Sequence, residues 1–393
     1  MRPTLLLATF LLTTTAHPQW QLLNTPTTAD LRGIDNVGNG IVWASGTNGT
    51  VLRSIDDGAH WQTCPIPPAA DHLDFRGIQA FDATTAIVMS SGPGDQSRLY
   101  KTTDACQTWN LLFTNPDKEG FWDAIQMVDA KDGWMIGDPV HDHFVVGTTI
   151  NGGQSFSFLT TTRDDQETNE SEPLKTSGHG AFAASNSVLL VASPKFSAEN
   201  RKPFGTPCNY PILWFGTGGP GGAKLYRFFE HRPQCSDYGT RNWTESDTPL
   251  AGDTSSAGIF SLASASVLRL IAVGGDYLKP SDSTRTAAFT TDGGKTWHPA
   301  TTPPHGYRSA VAYSPTTKTW ITVGPNGTDI STDDGRNWRP LKPNPQTPNT
   351  TPDEDQHWNA LSLPFVVGPH GRIGKLHPEA LQPPTSAAKS ANP

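Results

Sequence analysis

Charge, helix signal, cysteine and long apolar runs are all scarce in this sequence. Of its 393 residues 17% are charged, and the formal net charge is −8. There is no stripe of Lys and Arg, which sets aside nucleic acid and anionic membrane surfaces as partners. No stretch of ten residues or more holds a 3.6-residue apolar period between helix caps, which excludes a helical bundle and an α/β fold. The four cysteines, Cys64, Cys106, Cys208 and Cys235, lack the paired spacing of a zinc site. Cys208 and Cys235 flank one irregular region, and Cys64 ends one repeat of the chain while Cys106 lies in the turn of the next, so each pair could join. Three connectivities and free thiols all stay open at this stage.

The one apolar run, Leu5 to Leu12, is too short to cross a bilayer. Arg2 precedes it and Thr14-Thr15-Ala16 follows, so residues 1–16 read as a signal peptide. No Cys follows the run to carry a lipid. The expectation is an exported protein, periplasmic or secreted, monomeric and without a membrane span.

What the chain does have is Gly, 37 of them, Pro, 34, and short Val/Ile/Thr/Trp/Phe runs between turn residues. That is an all-β pattern. One phrase, Ser/Thr-x-Asp-x-Gly-x-Thr-Trp, recurs with drift. Its copies are Ser54–Trp61, Thr102–Trp109, Thr149–Phe156, Thr290–Trp297 and Ser331–Trp338, and Gly239–Trp243 is a remnant. A fixed period of this kind signals a repeat array. The largest gap, from Phe156 to Trp243, reads as one enlarged fourth repeat with an insertion at about 163–211. Inner strands are expected to begin at Leu31, Phe75, Trp122, Ala181, Ile259, Tyr307 and Trp358, which makes seven. The seventh repeat lacks an outer strand, and Gln19–Leu23 resembles the missing piece. The reading is a seven-bladed β-propeller over 17–377, its last blade closed by the N-terminal strand, with 378–393 as a disordered tail. A closed ring leaves only short strand edges. Within the phrase, Asp accepts hydrogen bonds from its own turn, Gly permits positive φ and Trp packs between blades. The phrase is therefore structural.

The phrase is identified as the Asp-box, or BNR repeat, of sialidases, sorting receptors and photosystem II assembly factors. Longer strings resemble the bacterial photosystem II stability/assembly factor-like propellers, some of which are labelled oxidoreductases. These strings are Phe121–Ile125, Gly137–Val140, Gly180–Ser185, Trp214–Gly219, Ser256–Leu262, Gly274–Tyr277 and Gly306–Val311. The resemblance implies a non-catalytic exported scaffold that binds a protein or peptide client.

Arg32, Arg76 and Arg308 hold one position of the first strand in three blades. Asp123 and Asn359 hold it in two more, and Phe182 and Phe260 in the remaining two. Guanidiniums gathered at the channel mouth would take an anionic group, unless each pairs with an acid such as Asp123. Sialidases also grip a carboxylate with three arginines. Here the Arg-Ile-Pro motif lacks its proline, and Tyr277 and Tyr307 have no evident Glu partner. Asp138 and Asp276 each follow a second-strand Gly and are expected on the same face as Asp123. Glycoside hydrolysis needs two placed carboxyls or the Tyr/Glu variant. A sialidase-like or other glycan-active hydrolase is the alternative, along with a carbohydrate-binding propeller. Gly216–Gly221 matches G-x-G-x-x-G but contains Pro220 and leads into another strand, so it does not support a dinucleotide site. His141-Asp142-His143 and Asp71-His72 read as solvated loops. No catalytic residue, metal or cofactor is assigned.

Overall fold

The computed structural model describes residues 19–158, 176, 178–192, 212–231, 240–341 and 353–381. Seven four-stranded antiparallel sheets, all of them meanders, are arranged as the blades of a propeller. Blade 1 shows the plan. Its inner strand is Leu31–Gly38, followed by Ile41–Gly46, Val51–Ser54 and the short outer Gln62–Thr63. The inner strands of blades 2 to 6 are Phe75–Ala80, Trp122–Met127, Leu189–Ala192, Ala257–Ser264 and Ala310–Ser314. Blade 7 takes Ala360–Ser362, Phe365–Val367 and Ile373–Leu376 from the end of the chain and Trp20–Leu23 from its beginning. That last pairing runs from Trp20 opposite Leu376 to Leu23 opposite Ile373.

The core is divided. Seven buried clusters each lie between two neighbouring blades. The aromatic of each repeated phrase seals its blade onto the preceding one. Trp61 packs with blade 7, Trp109 with blade 1, Trp297 with blade 4 and Trp338 with blade 5. Trp20 does the same for blade 7, where it lies against Ile321, Val323 and Ile330 of blade 6. The N-terminal strand thus supplies the packing residue that blade 7 lacks.

The phrase forms the turn from third to outer strand. In blade 2, Thr102 Oγ1 donates to Asp104 Oδ1 at 2.8 Å, and Oδ1 accepts the Thr108 N–H at 3.0 Å. Asp56, Asn151, Asp292 and Asp333 accept the equivalent N–H in their blades. Each acidic side chain is therefore used up by its own turn.

Two expectations need correction. Ala181–Ala184 is not a strand: Ser185 caps a short 3₁₀ turn, Asn186–Val188, and blade 4 begins after it at Leu189. That inner strand lies within the span assigned to an insertion, much of which is outside the described residues. At the other end, Pro378–Leu381 forms a 3₁₀ turn, and Ala380 and Leu381 pack on the blade 6–7 cluster. Residues 1–18 and 382–393 are outside the described residues.

Cys64 and Cys106 form a disulfide with Cα atoms 5.5 Å apart, joining the end of blade 1 to the outer turn of blade 2. Cys208 and Cys235 lie outside the described residues. The disulfide closes a loop of 42 residues, for which chain entropy gives about 3–4 kcal/mol. The Cys64→Ala/Cys106→Ala variant should lose about that much, read from guanidinium unfolding under oxidising conditions. An unchanged midpoint would show that the crosslink constrains nothing.

Candidate functional site

Inner strands begin, and second strands end, on one face of the ring. The expected site residues lie at this face; the repeated turns lie at the other. Between blades 2 and 5 it holds an open pocket of about 350 Å³, lined in part by Arg76, Asp123, Asp138, Phe182, Gly218 and Ser255.

The lead-in to blade 4 builds much of this pocket. Instead of forming a strand, residues 180–188 cross toward the other inner strands. Arg76 Nη1 donates to the Ala183 carbonyl at 2.9 Å. Asn186 donates to the Ile78 carbonyl at 3.1 Å and accepts the Ile125 N–H at 3.2 Å. Phe182 stacks on Phe260 with ring centres 4.1 Å apart. Backbones approach closely where Gly218 bridges both Gly180 and Gly258. A Cβ at Gly218 would lie 2.3 Å from the Ala257 carbonyl oxygen and 2.4 Å from the Gly258 Cα, so only glycine fits.

Asp123 forms the pocket's inner wall. Its residue is 1% exposed, and neither carboxylate oxygen has a hydrogen-bond partner. Burial, and then the neighbouring Asp138 carboxyl, hold its pKa well above the usual carboxylate range, with the Arg76 charge opposing them. Asp138 is more open. Its Oδ1 accepts the Ala181 N–H at 3.0 Å, and burial raises its pKa to about 6 against the pull of that bond. Arg76 does not pair with Asp123; its Nε donates to Asp74 at 2.8 Å.

Arg308 does not join this group. It is fully buried, ion-paired to Asp329 at 2.7 Å and donating to the Gly327 carbonyl at 2.6 Å. Asn359 donates to the Leu31 carbonyl at 2.8 Å and so ties blade 7 to blade 1. Arg32 Nε is buried without a hydrogen-bond partner. The Arg32 charge acts on Tyr307, whose pKa burial and nearby Tyr277 push up. Tyr307 meets Phe260 edge-on at 4.8 Å, and Tyr277 meets it at 6.1 Å. Asp276 stands apart from the carboxyl pair. Burial opposes its ionisation, but Ser256, the Leu278 N–H and Lys279 outweigh that and hold its pKa low. Arg76 thus acts on the carboxyl pair, while Arg32 acts on Tyr307 among the aromatics. Among the described residues no three His, Cys, Asp or Glu side chains gather to hold a metal ion. Gly216–Gly221 connects two strands, Ile212–Gly216 and Lys224–His231.

One set of residues went unread in the sequence. Three positions beyond the aligned arginines, inner-strand side chains accept a backbone N–H from the next blade. Asp35 accepts Ala80 N–H at 2.8 Å, Gln79 accepts Met127 N–H at 2.5 Å, and Ser362 accepts Asn36 N–H at 3.0 Å. Gln126 likewise accepts Val191 N–H at 2.7 Å. A polar residue recurring at this offset was the available signal.

Asp35 also carries a pH effect. Burial raises its pKa to about 6, with the Ala80 N–H opposing. Because the folded value lies above the unfolded one, its contribution is fully present below the unfolded pKa and is lost as pH rises through about 6. Asp35→Asn keeps an acceptor for the Ala80 N–H and should stabilise the protein at pH 7 by about 1–2 kcal/mol, the residue's partial exposure trimming the full linkage value. The gain should vanish near pH 4. Urea unfolding at both pH values tests this, and an equal gain at both would rule out ionisation as its source.

No known protein family and no curated protein matches this chain. Solved structures do. "YCF48 bound to D1 peptide" is 14% identical with a TM-score of 0.54, over 92% of this chain and 97% of that one. The chain shares that fold. A second YCF48, from Cyanidioschyzon merolae, is 16% identical with a TM-score of 0.51, over 92% of this chain and 99% of that one. The WD40 β-propeller domain of Doa1 is 11% identical with a TM-score of 0.53, over 93% of this chain and 99% of that one. The resemblance to photosystem II assembly factors read from the sequence holds at the level of fold. At these identities the propeller is what is shared.

Proposed function

We propose that this protein is a non-catalytic propeller scaffold that binds a protein or peptide on the face where its inner strands begin. The observation that carries this reading is the open pocket there, which combines an unpartnered buried carboxylate, an arginine and aromatic walls. Apolar walls with a few converging polar groups suit a bound segment. Exposed Tyr277 and Leu278 widen the surface beside it. A protein of the same fold has been seen with a peptide bound, which fits this reading. Export is part of the proposal. It rests on residues 1–16, and the Cys64–Cys106 disulfide supports an oxidising compartment.

The test is an array of defined 15-residue peptides probed with the full mature chain. A face variant that reaches the pocket wall, Arg76→Ala/Phe121→Ala/Tyr277→Ala, is compared with an opposite-face variant, Ile55→Ala/His60→Ala. We expect at least a tenfold affinity loss in the first and none in the second. An array without binders, or equal losses in both variants, would end the scaffold reading.

The carboxyl pair gives a second reading some footing, since raised pKa values in one pocket suit acid/base hydrolysis of a glycan. Against a Tyr/Glu nucleophile, Tyr226 does donate to Glu245 at 2.9 Å, but burial and that carboxylate push its pKa up. Turnover of any fluorogenic glycoside, lost in both Asp123→Asn and Asp138→Asn, would establish the hydrolase instead.

A further inference from the structure

We infer that the Asp123–Asp138 pair is a binding site for an aliphatic ammonium group, the side chain of a lysine or the free amino terminus of a bound segment. The inference rests on the scaffold reading and reverses the charge expected of its ligand.

The argument begins with what has happened to the positive charge. Arg308 is sealed against Asp329 in the interior. Arg76 spends its Nε on Asp74 and an Nη on the Ala183 carbonyl. The Arg32 charge acts on Tyr307, whereas Arg76 is the cation that acts on Asp123. The arginines that were candidates for an anion are thus dispersed.

The two carboxyls, by contrast, are gathered in one pocket and unsatisfied. Asp123 has two buried oxygens with no donor, although buried carboxylates are ordinarily hydrogen-bonded. Asp138 lines the same pocket and is the less buried of the two, with one oxygen on the Ala181 N–H. The charged or titratable groups around the pair are Arg76 and its partner Asp74 from blade 2, and His179 from the blade 4 lead-in. His179 Nε2 is engaged with the Tyr226 hydroxyl at 2.6 Å. From blade 5 the pocket receives Ser255.

A donor-rich cation fits this vacancy chemically. An ammonium has three N–H donors and no acceptor. A methylene stem would run along Phe121, Ala181, Phe182 and Pro220, all lining the pocket. A hard metal cation would want more oxygen ligands than two carboxyls supply, without an arginine beside them.

The proton is the competitor. Burial raises Asp138 to about 6 and holds Asp123 above its usual range, so both must shed a proton to hold the cation, and ammonium affinity should tighten at least tenfold between pH 5 and pH 7.

The experiment uses the full mature chain, carbon-13 labelled, with the Asp carboxyl resonances followed by NMR. Butylammonium chloride and sodium butyrate are titrated separately. We expect butylammonium to shift the Asp123 and Asp138 carboxyls saturably, to lower their titration midpoints and to bind at least tenfold tighter at pH 7 than at pH 5. Asp138→Asn and Asp123→Asn should each remove the response, and Asp276→Asn should leave it intact. The inference is overturned if neither carboxyl responds, if butyrate binds there instead, or if both variants retain affinity. Array peptides separate the two sources: dependence on lysine is read by Lys→norleucine, and dependence on the amino terminus by acetylation. Peptides that bind the face yet tolerate both changes and ignore Asp123→Asn refute the ammonium site and leave the scaffold standing. Butylammonium binding with no peptide bound refutes the scaffold and leaves the site.

Discussion

Asp329→Ala should cost about 3–5 kcal/mol of stability, because it leaves Arg308 charged, buried and without its ion pair. Both side chains are within 1% of complete burial, and the pair is 2.7 Å long. His305 Nδ1 also reaches Asp329, at 2.8 Å, and is held above its usual pKa chiefly by that bond. The remaining acid near Arg308, Asp355, is already committed to Thr328, Gln19 and Trp358. The double variant Arg308→Met/Asp329→Leu removes both charges and should recover most of the loss. A double-mutant cycle on guanidinium midpoints reads this directly. If the double variant is no better than the sum of the singles, the pair is not a coupled unit. Peptide capture should survive in the double variant, since Arg308 lies in the interior of the blade 6–7 boundary.

Trp20→Ala should cost about 3–5 kcal/mol, the usual range for emptying a buried tryptophan site. Trp20 is fully buried, lies 5.8 Å from Trp358 and donates its indole N–H to Thr328 of blade 6 at 2.9 Å. Gln19 reinforces it by donating to the Leu341 carbonyl at 2.9 Å. The loss should be local before it is global. Limited proteolysis should cut the variant first near residues 24–30, with the Ile373–Leu376 edge then exposed. Trp20→Phe keeps the packing but not the N–H, and should lose about 1–2 kcal/mol. A variant that unfolds at the wild-type midpoint would mean the seam is held elsewhere.

The ring was legible because its signals are local. A Ser/Thr, an Asp four residues before the N–H it accepts, and an aromatic at the blade boundary need only a short stretch of chain. Repetition then fixed the register well enough to place Trp20 in blade 7. The site was less legible because its side chains choose partners across blades. Arg32, Arg76 and Arg308 are equivalent in register, yet Asp329 and Gly327 are there for Arg308 alone. Ala181–Ala184 is a short apolar run like the start of an inner strand, but Asn186 finds backbone partners in blades 2 and 3 and holds the segment across the mouth. The sequence alone puts Asp123 and Asp138 on one face. Their mutual influence arises only once Ala181 and Phe182 close over them.

The pairing of Trp20–Leu23 with Ile373–Leu376 also sets an order of events in the life of the chain. The first of these strands emerges from the ribosome while its partner is still unmade, so it must wait, unpaired, for nearly the whole sequence. Such distant contacts are the slow ones to form. Six blades can take shape as the chain lengthens, whereas the seventh is completed only when the two ends meet. A chain that stops short of Ile373 leaves Trp20–Leu23 without its partner strand and the ring with an open sheet edge, the kind of edge that invites aggregation. The seam also makes the starting point arbitrary. His377 N–H already donates to the Gln19 carbonyl at 2.9 Å, so a short turn there, with new termini between Leu23 and Leu31, would let the last blade fold from contiguous sequence.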